Sequence, residues 1–142
     1  MLTGPLAQMA MATTGHTEEA VGKLHAGFEK MFRNVPKTMQ SQVIAEVVKS
    51  EHCFAGVKVG DKLVFDPFLN TQKSSGVMCP RGLLPVLVQM NAVWEMVFEW
   101  AESGKEELPE MVFRNVRCLD PGFEDGGIGG VVYRIRAEKM NP

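Results

Sequence analysis

The clearest pattern along the chain is an apolar run from Leu83 to Ala101, which is hydrophobic almost all round. A helix with so little polar surface is central, or covered on two sides. The run predicts the main helix of the fold, over about 82–103. Cys79-Pro80 opens it, since proline is tolerated in a first helical turn, and Pro85 predicts that regular helix begins only near that residue. The polar interruptions are Gln89, Asn91, Glu95 and Glu99.

Short extended patterns lie on both sides of this helix. The segment 43–49 is rich in β-branched residues, which favours a strand, and 57–65 is a second extended segment, broken at Gly60-Asp61. A third strand is predicted over 112–119. The fourth, 131–136, alternates in period two, with Val131, Tyr133 and Ile135 inward and Arg134 and Arg136 outward.

This order of elements predicts an α+β fold, with a small, mainly antiparallel sheet packed on one long apolar helix. An N-terminal helix is predicted to precede it. Thr17 can cap a helix that runs to about Arg33 and carries one apolar stripe, and Val35-Pro36 is expected to end it. Residues 1–15 show no regular pattern. We therefore expect a helical extension over 1–40 and a core domain over 41–142.

Composition limits the classes of function. The 142 residues fit one domain with a short appendage. A net charge of −2 argues against a general nucleic-acid binder. No apolar stretch is long enough to span a bilayer, and the N-terminus does not have the pattern of a signal peptide. We therefore expect no membrane association and a cytoplasmic protein with reduced thiols. Ten methionines fit an adaptable surface for a protein partner or a homo-oligomer.

Three cysteines stand at predicted junctions between elements, among turn-forming residues. They are Cys53, Cys79 and Cys118. A buried filler cysteine usually lies inside an apolar strand or helix, so this placement predicts a shared site at one edge of the fold. The three thiolates, with His52 as a fourth ligand, form one candidate metal site for zinc or an iron–sulfur cluster. The chain has no Cys-x-x-Cys pair, the strong local signal for such sites, so structural or incidental cysteines are the competing interpretation.

Cys79 is also a candidate nucleophile. A helix N-terminus stabilises a thiolate, and Arg81 adds positive charge beside it. A nucleophile needs a base, and His52 is the one histidine in the predicted core. The sharp hypothesis is therefore a catalytic pair of Cys79 and His52. In the alternative, Cys79 simply precedes Pro80 and packs under the long helix.

The glycine-rich segment 126–130 precedes a predicted strand, whereas phosphate loops precede a helix. A hairpin connection is therefore favoured over a phosphate site. The acidic residues Asp61 and Asp120 sit in turns, where such side chains usually accept turn hydrogen bonds.

The order of these short motifs resembles that of a family of small, uncharacterised prokaryotic proteins. The family has a cysteine before a Lys-x-Gly-Asp turn, a cysteine that opens the helix, and a late Cys-x-Asp-Pro-Gly turn before a Gly-x-Val strand. Many members carry a histidine where this chain has Val57, so that residue does not transfer. The resemblance implies no activity. The matching residues are Cys53, Lys58 to Asp61, Cys79-Pro80, Cys118 to Gly122 and Gly130 to Val132.

Two functions remain open at this point. The first is a small accessory or interaction protein, a subunit of an oligomer or larger complex, in which the cysteines are structural or hold a metal. The second is a small enzyme that uses the Cys79 thiolate, or a cysteine-bound metal, on a small-molecule substrate.

Overall fold

Helices and strands of this computed structural model are described for residues 1–140. The helices of that range are α1 (Gly4–Thr14), α2 (Glu18–Gly22), α3 (Ala26–Thr38) and α4 (Pro80–Ser103). Its strands are β1 (Ser41–Glu51), β2 (Lys62–Phe65), β3 (Asn115–Arg117) and β4 (Gly130–Lys139). A 3-10 turn, Phe123–Asp125, precedes β4.

The four strands form one antiparallel sheet in the order β2-β1-β4-β3. The two long strands, β1 and β4, pair at its centre from Ser41 opposite Lys139 to Glu51 opposite Gly130. A bulge between Val47 and Lys49 shifts their register. The predicted fold class, an α+β arrangement of a mainly antiparallel sheet and one long helix, is confirmed.

One face of the sheet packs against α4, and this contact is the main core. The inward positions predicted for β4 are correct, since Val131, Tyr133 and Ile135 are all almost fully buried. Side chains from the other strands share this face, among them Val43, Ala45, Val47, Leu63 and Phe65. The helix contributes Val86, Met90, Val93, Trp94, Val97, Trp100 and Ala101.

The opposite face of the sheet is more polar. Arg136 donates to the carboxylates of Glu46, at 2.7 Å, and Glu138, at 3.1 Å. Arg136 therefore lies outward, as predicted, and its charge is matched across two neighbouring strands. Glu46 and Arg136 alternate along their strands with residues of the core face, which is the period-two pattern of a sheet covered on one side.

Two predicted strands are shorter than expected. The segment 57–65 contributes only β2, because the chain turns at Lys58–Asp61: the carboxylate of Asp61 accepts the N–H of Lys58 at 2.8 Å. The segment 112–119 contributes only β3, because β4 pairs with no more than three of its residues. Val112 and Phe113 precede that short edge strand and are exposed.

The N-terminal predictions need larger corrections. Residues 1–15, expected to be irregular, contain α1, whose alanines Ala7 and Ala10 are buried. The single helix expected over 17–33 is two helices, and His25 begins the second by accepting the N–H of Gly27 on Nδ1 at 3.0 Å. Pro36 does not end α3, which continues to Thr38. The helical hydrogen bonding resumes beyond the proline, since the N–H of Met39 donates to the Val35 carbonyl at 2.8 Å.

The three N-terminal helices have a small apolar cluster of their own, which includes Val21 and Phe32. Of these helices, α3 contacts α4, and charged groups contribute to that contact. Lys30 pairs with Glu99 at 2.7 Å, and the ammonium of Lys37 lies 4.3 Å from the centre of the Trp100 ring. The expected division at residue 40 coincides with the gap between α3 and β1, but independent folding of the two parts stays a prediction.

The long helix is covered differently along its length. Its C-terminal half packs against both the sheet and α3, as the apolar pattern predicts. Its N-terminal half has an open apolar side, where Leu84 and Val88 are exposed. Pro85 lies inside α4 rather than near its start, so the expected late beginning is wrong by about one turn. Although α4 has 24 residues, no helix within residues 1–140 combines the length and apolar character needed to cross a membrane.

Replacing Ile135 by Ala should lower the free energy of unfolding by about 2–5 kcal/mol, because a buried aliphatic side chain then leaves a cavity. Ile135 is 1% exposed, at the centre of the sheet–helix contact. The control Val88→Ala, at a position 69% exposed on α4, should change it by about 0.5 kcal/mol or less. Urea unfolding followed by circular dichroism measures both. Equal effects would contradict the assigned core.

Candidate functional site: a pocket lined by three cysteines

A pocket of about 450 Å³ opens at one end of the sheet. Four segments line it: the turn after β1, the first turn of α4, the end of β3 and the start of β4. The three cysteines Cys53, Cys79 and Cys118 are all in its lining. The prediction that they share one edge of the fold is therefore correct, and we call this cavity the cysteine pocket.

Cys79 occupies the N-cap position of α4 and has an extended backbone conformation, with φ −73° and ψ 125°. Its carbonyl accepts the N–H groups of Gly82 and Leu83, at 3.0 and 2.8 Å. Its side chain makes no capping hydrogen bond. The thiol therefore stays uncommitted at the positive end of a 24-residue helix, where a negative charge is favoured.

Pro85 explains how the end of β3 comes to lie beside this helix start. A proline has no N–H, so Pro85 leaves the carbonyl of Arg81, four residues earlier, without its helical partner. The N–H of Leu119 donates to that carbonyl at 3.0 Å instead. Leu119 directly follows Cys118, so this hydrogen bond holds the segment that carries Cys118 against the first turn that carries Cys79.

The other two cysteines have different hydrogen-bonding surroundings. The sulfur of Cys118 accepts the N–H of Val131 at 3.3 Å, while the Cys118 N–H donates to the Val131 carbonyl at 2.9 Å. Cys118 therefore continues the pairing of β3 with β4 beyond the strand end. Cys53 begins a turn in which its carbonyl accepts the N–H of Gly56 at 3.1 Å. The sulfur atoms of Cys79 and Cys53 make no hydrogen bond within residues 1–140, and of these two cysteines Cys79 is the one at a helix N-terminus.

Tyr133, which the sequence pattern predicts only as a core residue, also contributes a hydroxyl group to the pocket. Its residue is 3% exposed, yet it lines the cysteine pocket. The hydroxyl lies against the first turn of α4, since a Cβ added at Gly82 would come 2.5 Å from its oxygen. Gly82 is three residues after Cys79, so both residues lie on one face of the helix. The close approach requires glycine at position 82.

The pKa of Tyr133 is strongly raised, from an ordinary value near 10 to about 12. Burial is the main cause, because it disfavours the charged phenolate. Negative charge on the neighbouring thiolates of Cys79, Cys118 and Cys53 adds to it, in that order. Tyr133 is therefore a neutral hydrogen-bond donor at ordinary pH.

Asp120 shapes one wall of the pocket. Its carboxylate accepts the backbone N–H groups of Gly122 at 3.0 Å, Ile128 at 3.0 Å and Gly129 at 3.3 Å. These hydrogen bonds, that of Gly122 above all, hold the pKa of Asp120 below its ordinary value, and the positive charge of Arg81 contributes. The glycine-rich segment is thus folded around a turn carboxylate, in agreement with its interpretation as a connection between strands.

His52 does not join the pocket. It is exposed, has a left-handed backbone with φ 47°, and is not among the lining residues. His52 is therefore not placed in the pocket that holds Cys79, and the catalytic pairing of the two residues stays a prediction. The reason is local: the chain leaves β1 through a left-handed residue just before Cys53, so the two neighbours occupy different surroundings.

The predicted metal site is also unsupported. Within residues 1–140, no three or more His, Cys, Asp or Glu side chains are grouped closely enough to hold a metal ion. Thiolate ligands lie about 2.3 Å from zinc, so their sulfur atoms must converge. Here Cys53, Cys79 and Cys118 line one cavity from separate segments without converging, and His52 is outside it.

A second depression, of about 690 Å³, lies beside the C-terminal half of α4. Its lining includes Glu95, Glu99 and Glu107 but none of the three cysteines. It is shallow and carries no nucleophilic thiol, so the cysteine pocket is the better candidate for chemistry.

Neither a protein-family model nor a curated protein nor a solved structure matches this chain. The resemblance noted from the motifs stays a prediction. The assignment of the site therefore rests on its geometry alone.

Tyr133 is the only tyrosine of the chain, so ultraviolet absorbance reports its ionisation directly. We expect a midpoint near pH 12 in the folded protein, against about 10 after denaturation. A raised pKa means that the neutral phenol stabilises the fold below pH 10, and that this contribution is lost as the pH rises through the folded pKa. Circular dichroism at each pH confirms folding. A folded midpoint near 10 would show that the hydroxyl is not buried.

The replacement Asp120→Asn should make the free energy of unfolding less dependent on pH in the acidic range. Because the folded pKa of Asp120 lies below its ordinary value of 3.8, its charge stabilises the fold above that value. The contribution disappears as the pH falls through the folded pKa. Free energies of unfolding at about pH 6 and about pH 3 should therefore differ less in the variant than in the wild type. An unchanged difference would mean that the carboxylate does not hold the 120–129 segment.

Proposed function

We propose that this protein is a small enzyme that uses the thiol of Cys79 on a small-molecule substrate bound in the cysteine pocket. The observation behind this proposal is that two groups lie at the first turn of α4. One is the Cys79 thiol, which makes no capping hydrogen bond, and the other is the hydroxyl of Tyr133, which β4 places against that turn. A largely apolar cavity with a few convergent polar groups is the usual form of a small-molecule site.

Electrostatics favour Cys79 over the other cysteines as the reacting group. The N-terminus of a helix stabilises a thiolate, and the thiolate is the nucleophile. Arg81, two residues later, is also in the pocket lining and adds positive charge. Cys118, in contrast, has its sulfur engaged by the N–H of Val131.

A second candidate function has a separate observation in its favour. Near the pocket, the open side of α4 exposes Leu84 and Val88, and the adjacent segment exposes Phe113. The side chain of Gln89 donates to the Phe113 carbonyl at 3.2 Å and so holds that segment beside the helix. Exposed apolar patches mark interaction sites, which favours an accessory subunit of an oligomer or larger complex. Sedimentation of the isolated chain tests this, since self-association is expected only for that function.

A reducing location, such as the cytoplasm, is part of the proposal. All three cysteines, Cys53, Cys79 and Cys118, are free, and a free reactive thiol survives where disulfides are not favoured.

Cys79 should react with iodoacetamide at neutral pH several times faster than Cys118, because its sulfur is uncommitted and lies at the helix N-terminus. Mass spectrometry of peptides after timed labelling gives the rate at each cysteine separately. In urea, the three rates should become similar, which is the control for intrinsic reactivity.

If Cys79 labels no faster than Cys118 in the folded protein, the proposed thiol enzyme is wrong. The accessory-subunit function would then be the one to pursue, starting from Phe113→Ser and its effect on self-association.

A further inference from the structure

The hydroxyl of Tyr133 makes no hydrogen bond within residues 1–140. The residue is 3% exposed, and its oxygen lies over the first turn of α4 at Gly82. The fully enclosed side-chain atoms that lack a partner in that range belong to Ser41, Trp94 and Trp100, so the Tyr133 oxygen faces the cysteine pocket, whose lining includes Tyr133. An unpaired donor that lines a pocket points to a ligand carrying the missing acceptor.

The charges around the pocket favour a neutral ligand. Arg81 lies close enough to Asp120 to lower the pKa of its carboxyl group, so the one cation and the one carboxylate of the lining offset each other. The remaining polar groups are the thiols and the neutral phenol of Tyr133. The rest of the lining is apolar, as at Val57 and Val131.

Size adds a further limit. The cavity measures about 450 Å³, towards the lower end of the range of about 300–1,000 Å³ for small-molecule sites. It therefore suits a compact ligand.

The groups present also limit the reaction. The lining has a nucleophile in Cys79 and a proton-bearing donor in Tyr133, but no histidine. A reaction that requires a histidine base to activate a water molecule or a hydroxyl group would therefore lack its base among the described residues of this pocket. Addition of a thiol to an electrophilic carbon needs only the nucleophile and a donor for the oxygen that becomes negative.

We propose that the substrate is a small, mainly apolar carbonyl compound, such as an aldehyde, whose oxygen accepts the Tyr133 hydroxyl while its carbon takes the sulfur of Cys79. This proposal rests on the proposed function and names the substrate class for the same pocket.

The addition step balances without a further reagent. The thiolate sulfur of Cys79 forms a bond to the carbonyl carbon, and the π pair of the C=O bond moves to the oxygen. That oxygen, held by the Tyr133 hydroxyl, takes up one proton, which replaces the proton lost from the thiol. The product is a hemithioacetal on Cys79, and nothing is oxidised or reduced.

Phenylacetaldehyde labelled with ¹³C at the carbonyl carbon is a suitable probe, with 2-phenylethanol as the matched molecule that lacks the carbonyl. On addition of folded protein, the labelled carbon should give a new tetrahedral resonance, distinct from that of the hydrated aldehyde, and the titration gives the affinity. Cys79→Ser should abolish this adduct resonance.

The variant Tyr133→Phe distinguishes loss of the hydrogen-bond donor from a change in core packing, since it keeps the ring and removes only the oxygen. It should weaken adduct formation about 5- to 30-fold, the effect of losing one hydrogen bond to the carbonyl oxygen. Circular dichroism verifies that the variant is folded.

Equal adduct formation in wild type and Tyr133→Phe would overturn the proposal. An adduct resonance, distinct from that of the hydrated aldehyde, that survives Cys79→Ser would overturn it as well. If the wild type forms no adduct although Cys79 still reacts fast with iodoacetamide, the carbonyl class is wrong and the thiol enzyme stands. If Cys79 is slow towards both reagents, both proposals fail.

Discussion

A missing hydrogen bond inside a helix organises the end of the fold that holds the cysteine pocket. Because Pro85 has no N–H, the carbonyl of Arg81 has no helical partner, and the N–H of Leu119 takes that place at 3.0 Å. The contact joins the end of β3 to the first turn of α4, two segments that are far apart in the chain. Cys118 and Cys79 lie on these two segments, and both line the cysteine pocket.

The two ends of the long helix α4 have different charged surroundings. Its middle is buried against the sheet and anchors both ends. At its C-terminus, Lys37 donates to the carbonyls of Ala101 and Lys105, at 3.3 and 3.2 Å, which neutralises the negative end of the helix. At its N-terminus, no carboxylate within the first turn balances the positive end. The uncompensated end is the one that meets the cysteine pocket.

The three cysteines are not equivalent, although they share one cavity. Cys118 acts as part of the strand pairing, since its sulfur accepts a backbone N–H. Cys79 is free of such a bond and lies on the same helical face as Gly82, against which the Tyr133 hydroxyl packs. A metal centre would need the three sulfur atoms to converge, whereas the proposed addition chemistry needs only a thiol and a neutral phenol in the lining of one cavity.

The sequence by itself determined the long helix, the strands β1 and β4 and the gathering of the cysteines at one edge, because apolar periodicity and turn residues are local signals. It did not determine α1, whose buried face of small residues such as Ala7 has meaning only against a partner helix. It did not show that His52 lies outside the cavity that its neighbour Cys53 lines, because that separation depends on the left-handed backbone of one residue. Only the tertiary structure decided that the Tyr133 hydroxyl meets the first turn of α4, because that contact depends on how closely β4 approaches a glycine, a distance that no local pattern encodes.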